Sequence, residues 1–162
     1  MSRETLWQGR FLTVVRDGRW EYVARVRDLE AVAIIAVHDG ALLLIEQHRV
    51  PAGRTCLELP AGLVGDEGAP ETALTAAARE LEEETGYRAE RVEALGMFYS
   101  SPGLTSERFT LARATGLTRV GEPEAGIAVH RVPLADVPGF VAQQRAEGIG
   151  IDVRLLVAMS LL

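Results

Sequence analysis

Apolar residues in the first fifty positions fall into short runs of strand length. "RFLTVV" (10–15) leads into the turn "RDGR", and "WEYVARVR" (20–27) alternates apolar with polar in its second half. "AVAIIAV" (31–37) and "ALLLIEQ" (41–47) flank "HDG", a hairpin-turn signal. Their near-continuous apolar character predicts a sheet covered on both faces. "CLELPAGLV" (56–64) reads as a short strand entering a Gly-rich loop. One helix is strongly marked. Pro70 suits its first turn, Gly86 its C-terminal end, and "ETALTAAARELEEET" between them is rich in helix formers. At 100° per residue, Leu74, Ala78 and Leu81 are predicted to face the core. Glu80, Glu83 and Glu84 share an adjacent face, and Glu82 points elsewhere. Strands are predicted at 91–99, 108–115 and 127–132, and helices at 138–148 and 151–162, the last with Asp152 as N-cap. Strands, then a helix, more strands and two helices predict an α+β layered fold rather than a doubly wound parallel sheet. No stretch reads as a linker, so 1–162 is expected to form a single domain.

The helix poses a chemical problem. "RELEEETG" (79–86) sets carboxylates three and four positions apart, where like charges oppose each other. Three readings are open: a solvated face partly paired through Arg79, a protein interaction surface, or a site for a hard divalent cation such as Mg²⁺ or Mn²⁺. Composition narrows the partners. The chain has 162 residues, 48% hydrophobic and 25% charged, with net charge −6, so no nucleic-acid-binding basic surface is expected. No apolar run reaches the length of a membrane span, and the N-terminus lacks an apolar signal core. The only cysteine, Cys56, excludes an internal disulfide, fits a cytoplasmic setting, and is read as a buried small hydrophobe. His38, in the hairpin turn, is expected to be exposed. His48 and His130 are read as packing or solvent residues.

Spacing decides among the three readings. The order Gly65, five residues, Glu71, seven residues, then Arg79-Glu80-Leu81-x-Glu83-Glu84-x-Gly86-Tyr87 resembles the signature of the Nudix hydrolases at every fixed position. Tyr87, where an aliphatic residue is usual, is the one mild departure. At roughly 5–10% usage per type, seven fixed residues agree by chance less than about once in a million windows. The resemblance implies a mixed β-sheet sandwiched between helices (α/β/α) with a box at 65–87. It also implies hydrolysis of a pyrophosphate joining a nucleoside to a second group, with Mg²⁺ or Mn²⁺. A cation at the carboxylate face would relieve the repulsion, neutralise a pyrophosphate and acidify an attacking water.

The resemblance extends most closely to the ADP-ribose pyrophosphatase branch. "LLLIEQHRVPAGRTCLELPAGLV" looks like that branch's strand–Gln–x–Arg–loop–Leu–Glu–x–Pro–Ala–Gly pattern, and Pro102 in "YSSPGLTSER" stands where the branch has a proline. The branch implies that Arg49 contacts the diphosphate, with Arg25, Pro102, Gly103 and Glu107 as further substrate candidates. The metal candidates are the Ala61 carbonyl, Glu80, Glu83, Glu84 and Glu124, with Glu58 assisting. The catalytic candidates are Glu122 as base, Glu83 and Glu107 as competing bases, and Arg79, which is expected to orient carboxylates by pairing with Glu71 or Glu83. Residues 1–30 resemble an N-terminal strand extension that reaches a partner subunit, implying a homodimer. The expected reaction is cleavage of ADP-ribose to AMP and ribose 5-phosphate. The alternatives are another nucleoside diphosphate sugar, such as GDP-mannose, or a nucleotide-binding sensor without turnover.

Overall fold

The computed structural model describes residues 3–65, 68 and 70–162. Met1, Ser2 and, within the 65–87 box, Asp66, Glu67 and Ala69 lie outside the described residues. Three N-terminal strands, β1 (Arg3–Gln8), β2 (Leu12–Asp17) and β3 (Trp20–Arg25), form a separate antiparallel sheet. The central elements are β4 (Ala31–His38), β5 (Ala41–Arg49), β6 (Arg54–Glu58) and β7 (Ala61–Leu63), followed by helix α1 (Ala73–Thr85). After α1 come β8 (Tyr87–Arg88), β9 (Arg91–Tyr99), β10 (Arg108–Thr115), β11 (Thr118–Arg119) and β12 (Ala128–Pro133). Helix α2 (Val137–Ala146), β13 (Gly150–Ile151) and helix α3 (Val153–Met159) complete the chain.

The large sheet is eight-stranded and mixed, in the order β13-β6-β5-β4-β10-β9, with β7 added to β4 and β12 to β5. β4 and β5 pair only beside their hairpin turn, through Val37↔Leu42 and His38↔Ala41. Beyond it they diverge, β4 toward β7 and β10, β5 toward β6 and β12. Alternation along β4 explains its unbroken apolar run. Ala31, Ala33 and Ile35 enter a core with Val137 and Val141 of α2 and Leu155 and Ala158 of α3. Val32, Ile34 and Ala36 enter a second core with Ala76, Ala77 and Leu81 of α1. The sheet is therefore covered by helices on both faces, as the apolar runs predicted. The mixed α+β sandwich and the N-terminal strand extension are both present.

Several expectations need correction. Helix α1 buries Ala76, Ala77 and Leu81, while Leu74 is exposed and Ala78 only half-buried. The Ala76–Ala77 pair has short side chains that let the helix approach the sheet. Pro70 precedes the helix. Thr72 caps it, accepting the Thr75 N–H at 3.2 Å, and Gly86 ends it at φ 75°. The strand expected at 10–15 is β2, starting two residues later, and β1 is an additional strand before it. The segment at 56–64 is two strands, β6 and β7, split after Glu58. The C-terminal helix spans only Val153–Met159, because Gly150 and Ile151 pair with Cys56 and Leu57 as β13. Asp152 does cap it, accepting the Arg154 N–H at 2.7 Å. Cys56 is half-buried rather than buried. His38 is half-buried rather than exposed, its ring 5.0 Å from that of Tyr87. Among the described residues, no helix is long and apolar enough to cross a membrane.

Candidate functional site

Helix α1 carries its acidic face toward the junction of β6 and β7. Glu80 and Glu84 are both buried, at 8% and 7% exposure. Glu84 Oε2 accepts the Ala61 N–H at 2.8 Å, tying the helix to the first residue of β7. Gly62, the next residue, leaves room for the neighbouring carboxylate: a Cβ there would overlap the side chain of Glu80. Glu83 lies at the rim, its Oε2 2.9 Å from Arg79 Nη1. Glu82 is on another face and pairs with Arg88 at 2.8 Å.

Arg79 organises this cluster. It reaches Glu71 at 3.3 Å, Glu80 at 2.9 Å, Glu83 at 2.9 Å and the Leu63 carbonyl at 3.3 Å. Glu71 in turn accepts the Gly65 N–H at 3.2 Å, so the loop before the helix is bound to it through this one guanidinium. Burial works against the charge on Arg79, but Glu71, Glu80 and Glu83 outweigh it and hold its pKa above the ordinary arginine value. Hydrogen bonding to Arg79 holds the Glu71 carboxyl below the usual range.

Glu84 behaves oppositely. Burial, with Glu80 and Glu58 nearby, pushes its carboxyl up to about 7 despite the Ala61 N–H and Arg49. Glu84, buried beside the Arg79-paired Glu80, is pushed toward its neutral form, and a hard divalent ion at this pair would favour the charged form instead. Glu80 and Glu84, with the adjoining Ala61 backbone, would hold it. Among the described residues, no three His, Cys, Asp or Glu side chains converge into a metal cage. Glu83 is turned to Arg79, and Glu124 is on a neighbouring loop.

That loop follows β11. It is fastened to the end of α1 through backbone groups: the Val120 and Gly121 N–H groups donate to the Gly86 carbonyl at 2.8 and 3.2 Å, and the Glu124 N–H donates to the Glu83 carbonyl at 2.8 Å. A Cβ on Gly86 would overlap the Gly121 carbonyl, so glycine is required there for contact as well as for its positive φ. Glu122 is exposed and paired with Arg119 at 2.8 Å.

Two further ion-pair groups border the site. Arg49, at the end of β5, donates from Nε and Nη2 to both oxygens of Glu58 at 2.7 and 2.6 Å. Glu58 is 1% exposed and holds Arg49 through both carboxylate oxygens. Gln47, two residues before Arg49 on β5, buries its amide nitrogen without a hydrogen-bond partner among the described residues. Arg25 and Glu107, both substrate candidates, pair with each other at 2.6 Å, and Ser100 Oγ donates to Glu107 at 2.8 Å. Burial raises the Glu107 carboxyl, but Arg25, Ser100 and more distant Arg154 prevail and hold it below the ordinary value.

Pro102 and Gly103 line a cleft of about 810 Å³ together with Trp20, Tyr22 and Tyr99. The cleft lies between the N-terminal sheet and the β9–β10 connection, which are joined where the Val23 N–H donates to the Leu104 carbonyl at 3.0 Å and the Ser106 N–H to the Val23 carbonyl at 3.0 Å. Trp20 and Arg154 were not singled out from the sequence. An aromatic residue at the start of an exposed strand was a signal for Trp20. Arg154 gave none, since its partner Glu58 is 96 residues away.

The NUDIX domain family model matches residues 27–149. The chain is 47% identical over 79 residues to an ADP-ribose pyrophosphatase of Bacillus subtilis, covering 48% of this chain and 40% of that one. It is 39% identical over 132 residues to an ADP-ribose pyrophosphatase of Mycobacterium tuberculosis, covering 77% and 63%. The alignments thus span about two fifths to three fifths of these relatives. A crystal structure described as an ADP compounds hydrolase superposes with a TM-score of 0.68 at 25% identity, over 86% of this chain and 81% of that one. The match of sequence model, buried carboxylate pair and sheet sandwich leads to one conclusion: the chain belongs to the NUDIX domain family.

Proposed function

We propose that this protein is a Mg²⁺-dependent Nudix hydrolase that cleaves ADP-ribose to AMP and ribose 5-phosphate. The observation that carries the reading is the Glu80–Glu84 pair, buried beside Ala61 with Gly62 clearing space for it. The ADP-ribose pyrophosphatase names of relatives support the substrate. In this reading Ala61, Glu80 and Glu84 hold the ion, and Glu83 and Glu124 complete the acidic set. Mg²⁺ would neutralise the diphosphate and lower the pKa of the attacking water, and Mn²⁺ would substitute.

The chain's own groups do the rest. Arg49, held by Glu58, presents its remaining N–H donors to the diphosphate. Glu122 accepts the water's proton after leaving Arg119, and Glu83 is the competing base. Arg79 keeps Glu71, Glu80 and Glu83 in place. Adenine stacks in the aromatic cleft of Trp20, Tyr22 and Tyr99, bounded by Pro102 and Gly103, while Arg25 and Glu107 border the ribose. Residues 1–162 act as one domain. The exposed Trp7, Phe11, Leu12 and Trp20 of the N-terminal region support a homodimer formed through that sheet. The lone Cys56 supports a cytoplasmic setting.

The test is a hydrolysis panel with and without Mg²⁺, containing ADP-ribose, GDP-mannose, NADH, diadenosine polyphosphates and coenzyme A. ADP-ribose is expected to give the highest kcat/KM, with AMP and ribose 5-phosphate as products. A preference for GDP-mannose would move the substrate. Nucleotide binding without turnover would make the protein a sensor.

A further inference from the structure

The C-terminal helix lies among the apolar residues on the far face of the sheet, yet one of its side chains reaches the substrate side. Arg154 is braced from its own helix start. Its Nε donates to Asp152 Oδ1 and Oδ2 at 3.0 and 3.1 Å, and its Nη2 to Oδ2 at 2.6 Å. The same Nη2 extends to Glu58 Oε2 at 3.5 Å, the oxygen that also accepts from Arg49 Nη2. Glu58 is enclosed at 1% exposure, whereas the Arg49 side chain is 40% exposed. The sequence of contacts is therefore Asp152, Arg154, Glu58, Arg49, running from the helix cap to an open guanidinium. Arg49 spends its Nε and one Nη2 hydrogen on Glu58, which leaves the Nη1 edge for an anion.

A guanidinium held by a single carboxylate turns with that carboxylate. We propose that Arg154 is a positioning residue of the substrate site: backed by Asp152, it fixes the plane of Glu58, and through Glu58 the orientation in which Arg49 meets a diphosphate. The diphosphate rests on the proposed function; the geometric coupling of Arg154 to Arg49 does not.

The experiment compares wild type, Arg154→Met, Arg154→Lys, Arg49→Met and the double variant Arg154→Met/Arg49→Met. Steady-state kinetics with ADP-ribose and Mg²⁺ are expected to show KM raised about tenfold in Arg154→Met with kcat within about twofold, as for lost ground-state binding. Arg154→Lys recovers part of the loss. In the Arg49→Met background the same change adds less than about twofold, because the residue it positions is gone. In parallel, the arginine Nε–H resonances of the Mg²⁺-free protein are recorded by NMR, with that of Arg49 identified by its loss in Arg49→Met. It is expected to be sharp in wild type and shifted or broadened in Arg154→Met.

Additive effects on KM together with an unmoved Arg49 resonance would overturn the proposal and leave Arg154 as an anchor of α3 alone. If wild type does not hydrolyse ADP-ribose, the proposed function fails, and the resonance still decides the positioning role. If Arg154→Met does not fold, Asp152→Asn carries the same measurements. It keeps a capping oxygen but withdraws the charge behind Arg154, and a smaller shift in the same direction is expected.

Discussion

Replacing Glu84 by Gln isolates the carboxylate pair without requiring a substrate. Glu84 is 7% exposed, and its carboxyl is pushed from the ordinary 4.5 to about 7, by burial first and then by Glu80 and Glu58 against the Ala61 N–H and Arg49. Between those two pH values the folded protein keeps a proton that the unfolded chain has released. The contribution is therefore whole below pH 4.5 and is lost as pH rises through about 7. At 1.36 kcal/mol per pH decade, the metal-free protein loses about 3 kcal/mol across the window. The glutamine amide has no charge to acquire, and its oxygen still accepts from Ala61. In EDTA at pH 8, Glu84→Gln should be more stable than wild type by about 3 kcal/mol, and the difference should vanish near pH 4.5. Glu71, Glu107 and Asp152, whose carboxyls are held low, titrate with the opposite sign and lose stability on acidification. They are common to both proteins and cancel in the difference. The assay is urea denaturation followed by circular dichroism at pH 4.5, 6 and 8, in EDTA and in excess MgCl₂. Mg²⁺ should stabilise wild type and leave the variant nearly unmoved, with hydrolysis lost. A pH-independent difference, or a variant less stable than wild type at pH 8 in EDTA, would refute the reasoning.

Other substitutions probe the remaining parts. Gly62→Ala places a methyl where the Glu80 carboxylate lies and should weaken Mg²⁺ dependence by about tenfold or more, read as the metal concentration at half-maximal rate; unchanged metal dependence would dissociate Glu80 from the ion. Trp20→Ala removes an aromatic wall of the cleft and should raise KM for ADP-ribose about tenfold with kcat little changed; equal KM values would place the base elsewhere. Glu122→Gln should lower kcat at saturating substrate by about a hundredfold or more, as for loss of a general base, and Glu124→Gln by less. The reverse order would exchange their roles.

Helix α1 was legible because its signals are local: Ala, Leu and Glu between a loop and Gly86, with carboxylates at helical spacing. The hydrophobic stripe was misplaced because an alanine-rich helix offers several equivalent faces. Only contact with β4 selects Ala76 and Ala77 over Leu74 and Ala78. β1 was missed because every position of "RETLWQ" is exposed, so no buried face imposes alternation. β7 was hidden in "PAGL", whose strand character comes from pairing with Ala31, Val32 and Ala33. The carboxylates of the site could be read from their spacing. Their surroundings could not: the Arg49–Glu58 clamp joins two strands, the 810 Å³ cleft joins two sheets, and Arg154 arrives from the chain's end.

The fastening of the acidic loop has a mechanical consequence. Gly121 is tied to the Gly86 carbonyl and Glu124 to that of Glu83, so only Glu122 and Pro123 lie between the two tethers. One tether sits on Glu83, in the last turn of the thirteen-residue helix that also carries Glu80 and Glu84, and the other on Gly86, its C-cap. In the proposed reaction, the proton acceptor and the cation therefore share one rigid body. In that reading their separation would be gauged by the helix and its cap, and Glu122 would come to bear by exchanging Arg119 for water through side-chain rotation.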